Sequence, residues 1–291
     1  MKILVTGSNG QLGNEIRGVA TNYPDFQFIY TDVEQLDITD PLKVEAFCAI
    51  QKPHVIINCA AYTAVDKAES DETTAFLINS TAVENLSRSA SGIDALMVHV
   101  STDYVFDGLS HIPYIETNET NPQSVYGRSK LAGEKAVQNY ASKGIILRTS
   151  WLYSAFGNNF VKTMIKYGEE REELNVVFDQ VGTPTYAKDL AKVILDIIPS
   201  RIDKLGTELF HYSNEGVASW FDFAKTILAF SEITCDIKPI LSKDFPVHAT
   251  RPFFSVLNKG KIKESFNLKI PYWSDSVKDC IRRLNYKSTL F

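Results

Sequence analysis

Short apolar runs alternate with longer helical patterns along the first half of the chain. KILVT (2–6), QFIY (27–30), HVIIN (54–58), ALMVHVS (95–101) and GIILRTS (144–150) read as strands. They are rich in β-branched residues and apolar without strict alternation, the pattern of strands covered on both faces. Helical stretches lie between them. Asp40-Pro41 reads as an N-cap followed by proline at the first helical position, opening PLKVEAFCAI. DETTAFLINSTAVENLSRSA (71–90) is long enough for about five turns. Strand–helix–strand repetition predicts an α/β protein with a doubly wound parallel sheet, right-handed crossovers and helices on both faces.

After residue 150 the rhythm changes. Loops lengthen, and prolines stand at 184, 199, 239, 246, 252 and 271. SWFDFAKTILAF (219–230) and WSDSVKDCIRRL (273–284) are helical patterns outside strict strand–helix alternation. A smaller C-terminal α/β part is expected to carry the substrate. The expected division assigns 1–150 to the larger domain, with segments around 173–213 returning to it. Residues 151–172 and 214–291 form the smaller part, and the cleft between the two is the default binding site.

Composition narrows the function classes. The chain has 291 residues, 44% hydrophobic, and a net charge of −5. That length supports a large core, and the absence of a basic block argues against nucleic acid as a partner. Cys48, Cys59, Cys235 and Cys280 include no C-x-x-C pair. They read as reduced thiols, not as a disulfide framework or zinc site. MKILVTG runs straight into a strand pattern, unlike a secretory signal, and no run of 18 apolar residues occurs. A cytoplasmic protein without a membrane span is the expectation.

TGSNGQLG (6–13) places Gly7, Gly10 and Gly13 three apart, after the first strand and before a helix. There the turn must be tight, and the backbone must approach a pyrophosphate at a helix N-terminus. A Rossmann-type dinucleotide site is expected at this loop. Asp32 follows about 20 residues later, where an acid accepts hydrogen bonds from ribose hydroxyls. No arginine follows Asp32 closely, which by itself favours NADH over NADPH. Asp37 and Ile38 suit an adenine pocket. In NCAAYTAVDKAE (58–69), small residues through Ala61 let a cofactor pass, and Tyr62 and Thr63 could close over it. STDYVFDG (101–108) brings Ser101, Thr102 and Asp103 to the carboxyl end of the fourth strand, where doubly wound sheets bind ligands.

SVYGRSKLAGEK (124–135) sets Tyr126 and Lys130 one helical turn apart. Alone, such a pair is an ordinary helix neighbourhood. With Thr102 it resembles the hydroxyl–Tyr–Lys triad of the short-chain dehydrogenase/reductase superfamily. A free phenol titrates at about 10. Lowering it to the neutral range takes roughly 3–4 kcal/mol. An ammonium about 5 Å away in an effective dielectric near 20 supplies roughly 3 kcal/mol. Lys130 is therefore expected to pull the Tyr126 phenol down, while Thr102 donates a hydrogen bond to the substrate oxygen.

The resemblance narrows further. The glycine loop, NCAAYTAVDKAES, STDYVFDG, YGRSKLAGE, RTSWLYSAFGNNFVKTM, DQVGTPT, HYSNEGVASW and ATRPFFSVLN together resemble the dTDP-4-dehydrorhamnose reductase family, from residue 1 to about 258. The resemblance implies NADPH- or NADH-dependent reduction of the C4 ketone of dTDP-6-deoxy-L-lyxo-4-hexulose. Members often accept both cofactors, which tempers the reading of Asp32. By position it implies cofactor contacts at Gly10, Gln11, Leu12, Asp32, Asp37, Ile38, Ala61, Tyr62, Thr63, Val100, Tyr126 and Lys130. It implies sugar contacts at Thr102, Asp103 and Trp151. GNNF, with Asn159, and ATRP, with Arg251, fall where the family grips the nucleotide, and a guanidinium suits a diphosphate. Some members are described as dimers joined by a divalent cation between acidic side chains. Here Glu15 is available, but PTYAKDLA puts Lys188 where an acid is needed, so no required metal is expected and a homodimer stays open.

Three alternatives remain at this stage. A dehydratase or epimerase of the same fold is one; dehydratases carry a glutamate after the Thr-Asp pair, where this chain has Tyr104. A ketoreductase for another dTDP-deoxysugar would look alike. A non-catalytic regulatory subunit, resembling the beta subunit of methionine adenosyltransferase, is disfavoured by the intact triad.

Overall fold

The computed structural model describes residues 1–245 and 247–288; Pro246 and the last three positions of the C-terminal part lie outside the described residues. The strands, in chain order, are β1 (Lys2–Thr6), β2 (Gln27–Tyr30), β3 (Val55–Asn58), β4 (Leu96–Thr102), β5 (Lys143–Thr149), β6 (Leu152–Tyr153), β7 (Glu173–Val177), β8 (Val181–Gly182), β9 (Thr185–Tyr186), β10 (Gly206–His211), β11 (Ala218–Ser219) and β12 (Asp236–Ile240). The helices are α1 (Gln11–Val19), α2 (Pro41–Gln51), α3 (Val65–Ala68), α4 (Glu72–Phe76), α5 (Ala82–Gly92), α6 (Val125–Tyr140), α7 (Phe160–Glu170), α8 (Ala187–Arg201), α9 (Trp220–Phe230), α10 (Gly260–Phe266) and α11 (Trp273–Ser288).

Six strands form one sheet in the order β10-β5-β4-β3-β1-β2, and every neighbouring pair is parallel. Ile3 stands between Phe28 on one side and Val55 on the other. The order therefore reverses at β1, the switch point where such sheets leave a crevice. Helices cover both faces, because each strand sends apolar side chains both ways. Ile3, Val5, Ile57 and Val98 join Ile16 of α1 and Leu190 and Ile194 of α8. Leu4, Ile56, Met97 and Ile146 join Val44 of α2, Leu86 of α5 and Val137 of α6. This is the expected Rossmann-type doubly wound sheet. The first five strands fall within one residue of their expected bounds.

Local chemistry explains the helix starts. Asp40 caps α2, accepting from the Leu42 and Lys43 N–H groups, with Pro41 at the first turn. The 71–90 stretch departs from a single α-helix. Leu77–Thr81 is a π-helical turn between α4 and α5. It aims Asn79 inward, where the side chain is fully buried.

The smaller C-terminal part packs around Tyr153, Phe223, Ile227, Trp273 and Val277. Its strands pair two by two, β7 with β12, β8 with β11 and β6 with β9. An ion pair joins it to the first helix. Arg283 of α11 lies 2.7 Å from Glu15 of α1, whose other oxygen accepts from Ser154 at 2.7 Å. Lys188 pairs with Asp279 at 2.8 Å. The four cysteines are free thiols. Among the described residues no helix is long and apolar enough to cross a membrane.

Candidate active site

The carboxyl ends of β1, β2 and β3 surround a pocket of about 460 Å³. Gly7, Gly10, Asp32, Asp37, Ile38 and Ala61 line it. Gly7 has φ +61°, and a Cβ there would lie 2.5 Å from the Ala60 backbone nitrogen. A Cβ on Gly13 would lie 2.5 Å from Ser8 Cα. No side chain caps α1 at Gly10, so its opening N–H groups are available to an anion. These features fit a dinucleotide: a tight glycine cradle, a helix N-terminus and a ribose-facing acid. Asp32 is held by the Asn9 N–H at 3.0 Å and the Val33 N–H at 2.9 Å. Thr39 donates twice to Asp37 and holds its carboxyl below the usual range. The Leu12 side chain belongs to the core, and Thr63 is exposed.

Asn79 orders the next wall. Its Oδ1 accepts the Tyr62 N–H at 2.9 Å, and its Nδ2 donates to the Tyr62 carbonyl and to Ser129 of α6, each at 3.0 Å. The π turn thus ties the β3 loop to the helix carrying Tyr126 and Lys130. Periodicity gave no sign of this residue.

Thr102 ends β4, and Tyr126 lies in the first turn of α6. Ser124 caps that helix by accepting the Gly127 N–H at 3.1 Å. The Tyr126 ring meets Tyr104 edge-on at 5.5 Å. Burial pushes the Tyr126 phenol up to about 12; the Thr102 hydroxyl favours the phenolate and the Asp103 carboxylate opposes it. The expected lowering by Lys130 is not found. Lys130 turns to the Val100 carbonyl at 2.7 Å, and its own burial lowers its ammonium to about 8, against the pull of Glu134. Asp103 is 2% exposed and accepts from Thr102 at 3.0 Å. Burial pushes the carboxyl up to about 6, against hydrogen bonding from Ser255 and Thr102.

Donor and acceptor arithmetic fixes what surrounds Lys130. Asn58 Oδ1 accepts from Thr6 Oγ1 at 2.7 Å and from the Ala60 N–H at 3.1 Å. Its Nδ2 must then face His99 Nδ1, 3.3 Å away. His99 Nδ1 is therefore the acceptor and Nε2 carries the ring proton. Nε2 lies 3.5 Å from Lys130 Nζ as a donor beside a donor. Of the three ammonium N–H bonds, Val100 takes one and His99 none, which leaves Lys130 free to grip ligand hydroxyls. One turn on, Glu134 accepts from Ser101 at 2.6 Å and from Arg148 at 2.8 and 2.7 Å, all buried. That bidentate pair fastens α6 to β4 and β5 and so fixes Tyr126 relative to Thr102.

A second cavity, about 770 Å³, lies in the C-terminal part, lined among others by Phe160, Tyr167, Arg171, Trp220 and Arg251. Trp151 has φ +47°, a strained conformation for a non-glycine residue. Its ring stacks on Trp220 at 3.7 Å, so Trp151 backs the wall that Trp220 presents. Arg251 pairs with Asp66 at 2.7 Å, and its Nε is buried without a partner. Burial pushes the Tyr104 phenol up, against the Arg251 charge. Asn159 caps α7 and donates to Gln11 Oε1 at 2.9 Å and to the Ser154 carbonyl at 2.7 Å. Its amide is engaged within the chain and connects the glycine loop to the cavity. Trp220 and Arg171 were not singled out from the sequence, although Trp220 closes the HYSNEGVASW motif.

Comparison with known proteins bears on this arrangement. The model of the RmlD substrate binding domain family matches residues 1–286. The dTDP-4-dehydrorhamnose reductase of Sinorhizobium fredii is 39% identical over 285 residues, 96% of each chain. That of Escherichia coli K12 is 40% identical over 297 residues, 98% of each. Among solved structures, the Clostridium acetobutylicum dTDP-4-dehydrorhamnose reductase superposes with a TM-score of 0.93 at 44% identity, covering 98% of this chain and 100% of that one. The Bacillus anthracis enzyme, in complex with NADP, gives a TM-score of 0.93 at 37% identity, covering 97% and 99%.

Proposed function

Because the chain belongs to the RmlD substrate binding domain family, we propose that it is a dTDP-4-dehydrorhamnose reductase. It reduces the C4 ketone of dTDP-6-deoxy-L-lyxo-4-hexulose to dTDP-L-rhamnose, with NADPH or NADH as reductant. The observation that carries the chemistry is the convergence of Thr102 at the carboxyl end of β4 with Tyr126 and Lys130 on the first turns of α6, where the Tyr126 ring meets Tyr104.

The bound nicotinamide supplies the hydride. The chain supplies the proton and the geometry. A carbonyl becoming an alkoxide needs a protonated donor, and a phenol held at about 12 stays protonated throughout the neutral range. It is still more acidic than an alcohol, so Tyr126 can give its proton to the developing oxygen. Such a general acid contributes on the order of 10²–10⁴ in rate. Thr102, whose single hydroxyl proton rests on Asp103 at 3.0 Å, turns that proton to the same oxygen when the ketone binds. Lys130, with two N–H bonds unclaimed, holds the cofactor ribose beside Tyr126. Arg251 and the Trp220 wall anchor the nucleotide and sugar, so that remote binding orients the reacting ketone. The substrate class and four free thiols agree with a cytoplasmic location.

The test is to mix purified protein with reduced cofactor and the 4-keto sugar nucleotide. Loss of the reduced-nicotinamide absorbance in step with formation of the 4-hydroxy sugar is expected. No cofactor oxidation with a folded, cofactor-binding protein would refute the reading.

A further inference from the structure

Asp32 and Asn9 line the adenosine pocket, and a cation from α1 rests on residues close to them in the chain. Asp32 Oδ2 accepts the Asn9 N–H at 3.0 Å. The preceding residue, Ser8, receives the Arg17 guanidinium on its hydroxyl oxygen, Nη2 to Oγ at 3.4 Å. The guanidinium also lies over the Tyr30 ring, 4.6 Å from its centroid, two residues before Asp32. Arg17 thus rests on a neutral hydroxyl and an aromatic face, and its charge is not matched by a carboxylate among the described residues. It is exposed, and so open to a ligand.

We infer that Arg17, steadied by Ser8 and the Tyr30 ring, receives the 2′-phosphate of a 2′-phosphorylated adenine dinucleotide and is the residue that admits NADPH to a pocket whose Asp32 favours NADH. This rests on the reading of the glycine-loop pocket as the dinucleotide site. Asp32 by itself would repel a phosphate. Two backbone N–H groups already blunt its charge, and a guanidinium held on Ser8 and Tyr30 supplies the opposite sign. Stacking on Tyr30 pre-orders the long side chain, so less freedom is lost on binding. Ser8, 2% exposed, accepts from Arg17 and steadies the guanidinium from the protein side. The planar fork of arginine suits that anion better than a lysine point charge.

Calorimetric titration of 2′,5′-ADP and of 5′-AMP into the wild-type protein, Arg17→Gln and Arg17→Lys tests this without turnover. Arg17→Gln should weaken 2′,5′-ADP about tenfold, the usual worth of one charge-assisted contact, and leave 5′-AMP unchanged. Arg17→Lys should lie between. Unchanged 2′,5′-ADP binding, or equal loss for both probes, would overturn the assignment. If the wild type binds neither probe, the dinucleotide reading of the pocket falls first, and the role of Arg17 with it.

Discussion

The adenosine pocket is lined entirely by residues 7–78, and its shape comes largely from backbone at the carboxyl ends of adjacent strands. The larger cavity draws Phe160 and Tyr167 from α7, Arg171, Trp220 from α9 and Arg251 from a distant loop. Its walls are aromatic rings and charges. One pocket excludes side chains so that the backbone can reach a phosphate; the other is made of side chains that meet only after the C-terminal part has folded. Substitutions should therefore act differently on the two sides. Adding an atom should harm the first, and removing atoms should harm the second.

Tyr126 carries the proton transfer that both pockets serve, and its loss should be the most damaging. Tyr126→Phe is expected to lower kcat by a factor on the order of 10²–10⁴ while cofactor and nucleotide affinities hold. Steady-state rates with separately titrated affinities check this, and near-normal turnover would remove Tyr126 from the chemistry.

Asp103, directly after Thr102 at the end of β4, has a stability signature. Its carboxyl is raised from an ordinary 3.8 to about 6, so the folded state holds the proton more tightly than the unfolded one. That contribution is complete below about pH 4 and is lost as pH rises through about 6. Above that the buried carboxylate costs about 3 kcal/mol. Asp103→Asn should therefore melt higher than wild type at about pH 8, with the gap closing towards about pH 4. Thermal melts across that range decide it; a gap that widens on acidification would reverse the sign.

Gly13→Ala and Trp220→Ala test the two walls directly. The added methyl meets Ser8 backbone, and strain of about 1–3 kcal/mol should weaken the cofactor roughly 10- to 100-fold with dTDP binding intact. Removing the Trp220 ring, stacked on Trp151, should weaken dTDP-sugar binding about tenfold and spare the cofactor. Loss of both ligands in either variant would erase the distinction between the pockets.

The same contrast governs what could be read from the sequence. The strands of the main sheet were legible because burial on both faces leaves unbroken apolar runs such as Val55–Asn58. The glycine loop and the Asp40 cap were legible because their chemistry is local. The π turn was hidden inside a helical period, since Asn79 is drawn inward by Tyr62 and Ser129, which are remote in sequence. The aim of Lys130 depends on Val100 and His99 on a neighbouring strand, and i,i+4 spacing to Tyr126 could not reveal it. Arg17 lies on α1 and not after Asp32, so a search along the chain for a nearby cation passed it by. Trp151 was visible as the residue after a strand, but its stacking behind Trp220 belongs to the tertiary fold.

The central claim, net transfer of hydride from the cofactor to C4 of the sugar with Tyr126 as acid, is tested most directly by isotope. Reduced cofactor carrying deuterium at both C4 positions is incubated with the 4-keto sugar nucleotide, and the product is read by proton NMR. The account predicts deuterium at sugar C4 in step with cofactor oxidation, and the same label arriving far more slowly with Tyr126→Phe. A product bearing protium at C4, or a sugar rearranged without net cofactor oxidation, would contradict it.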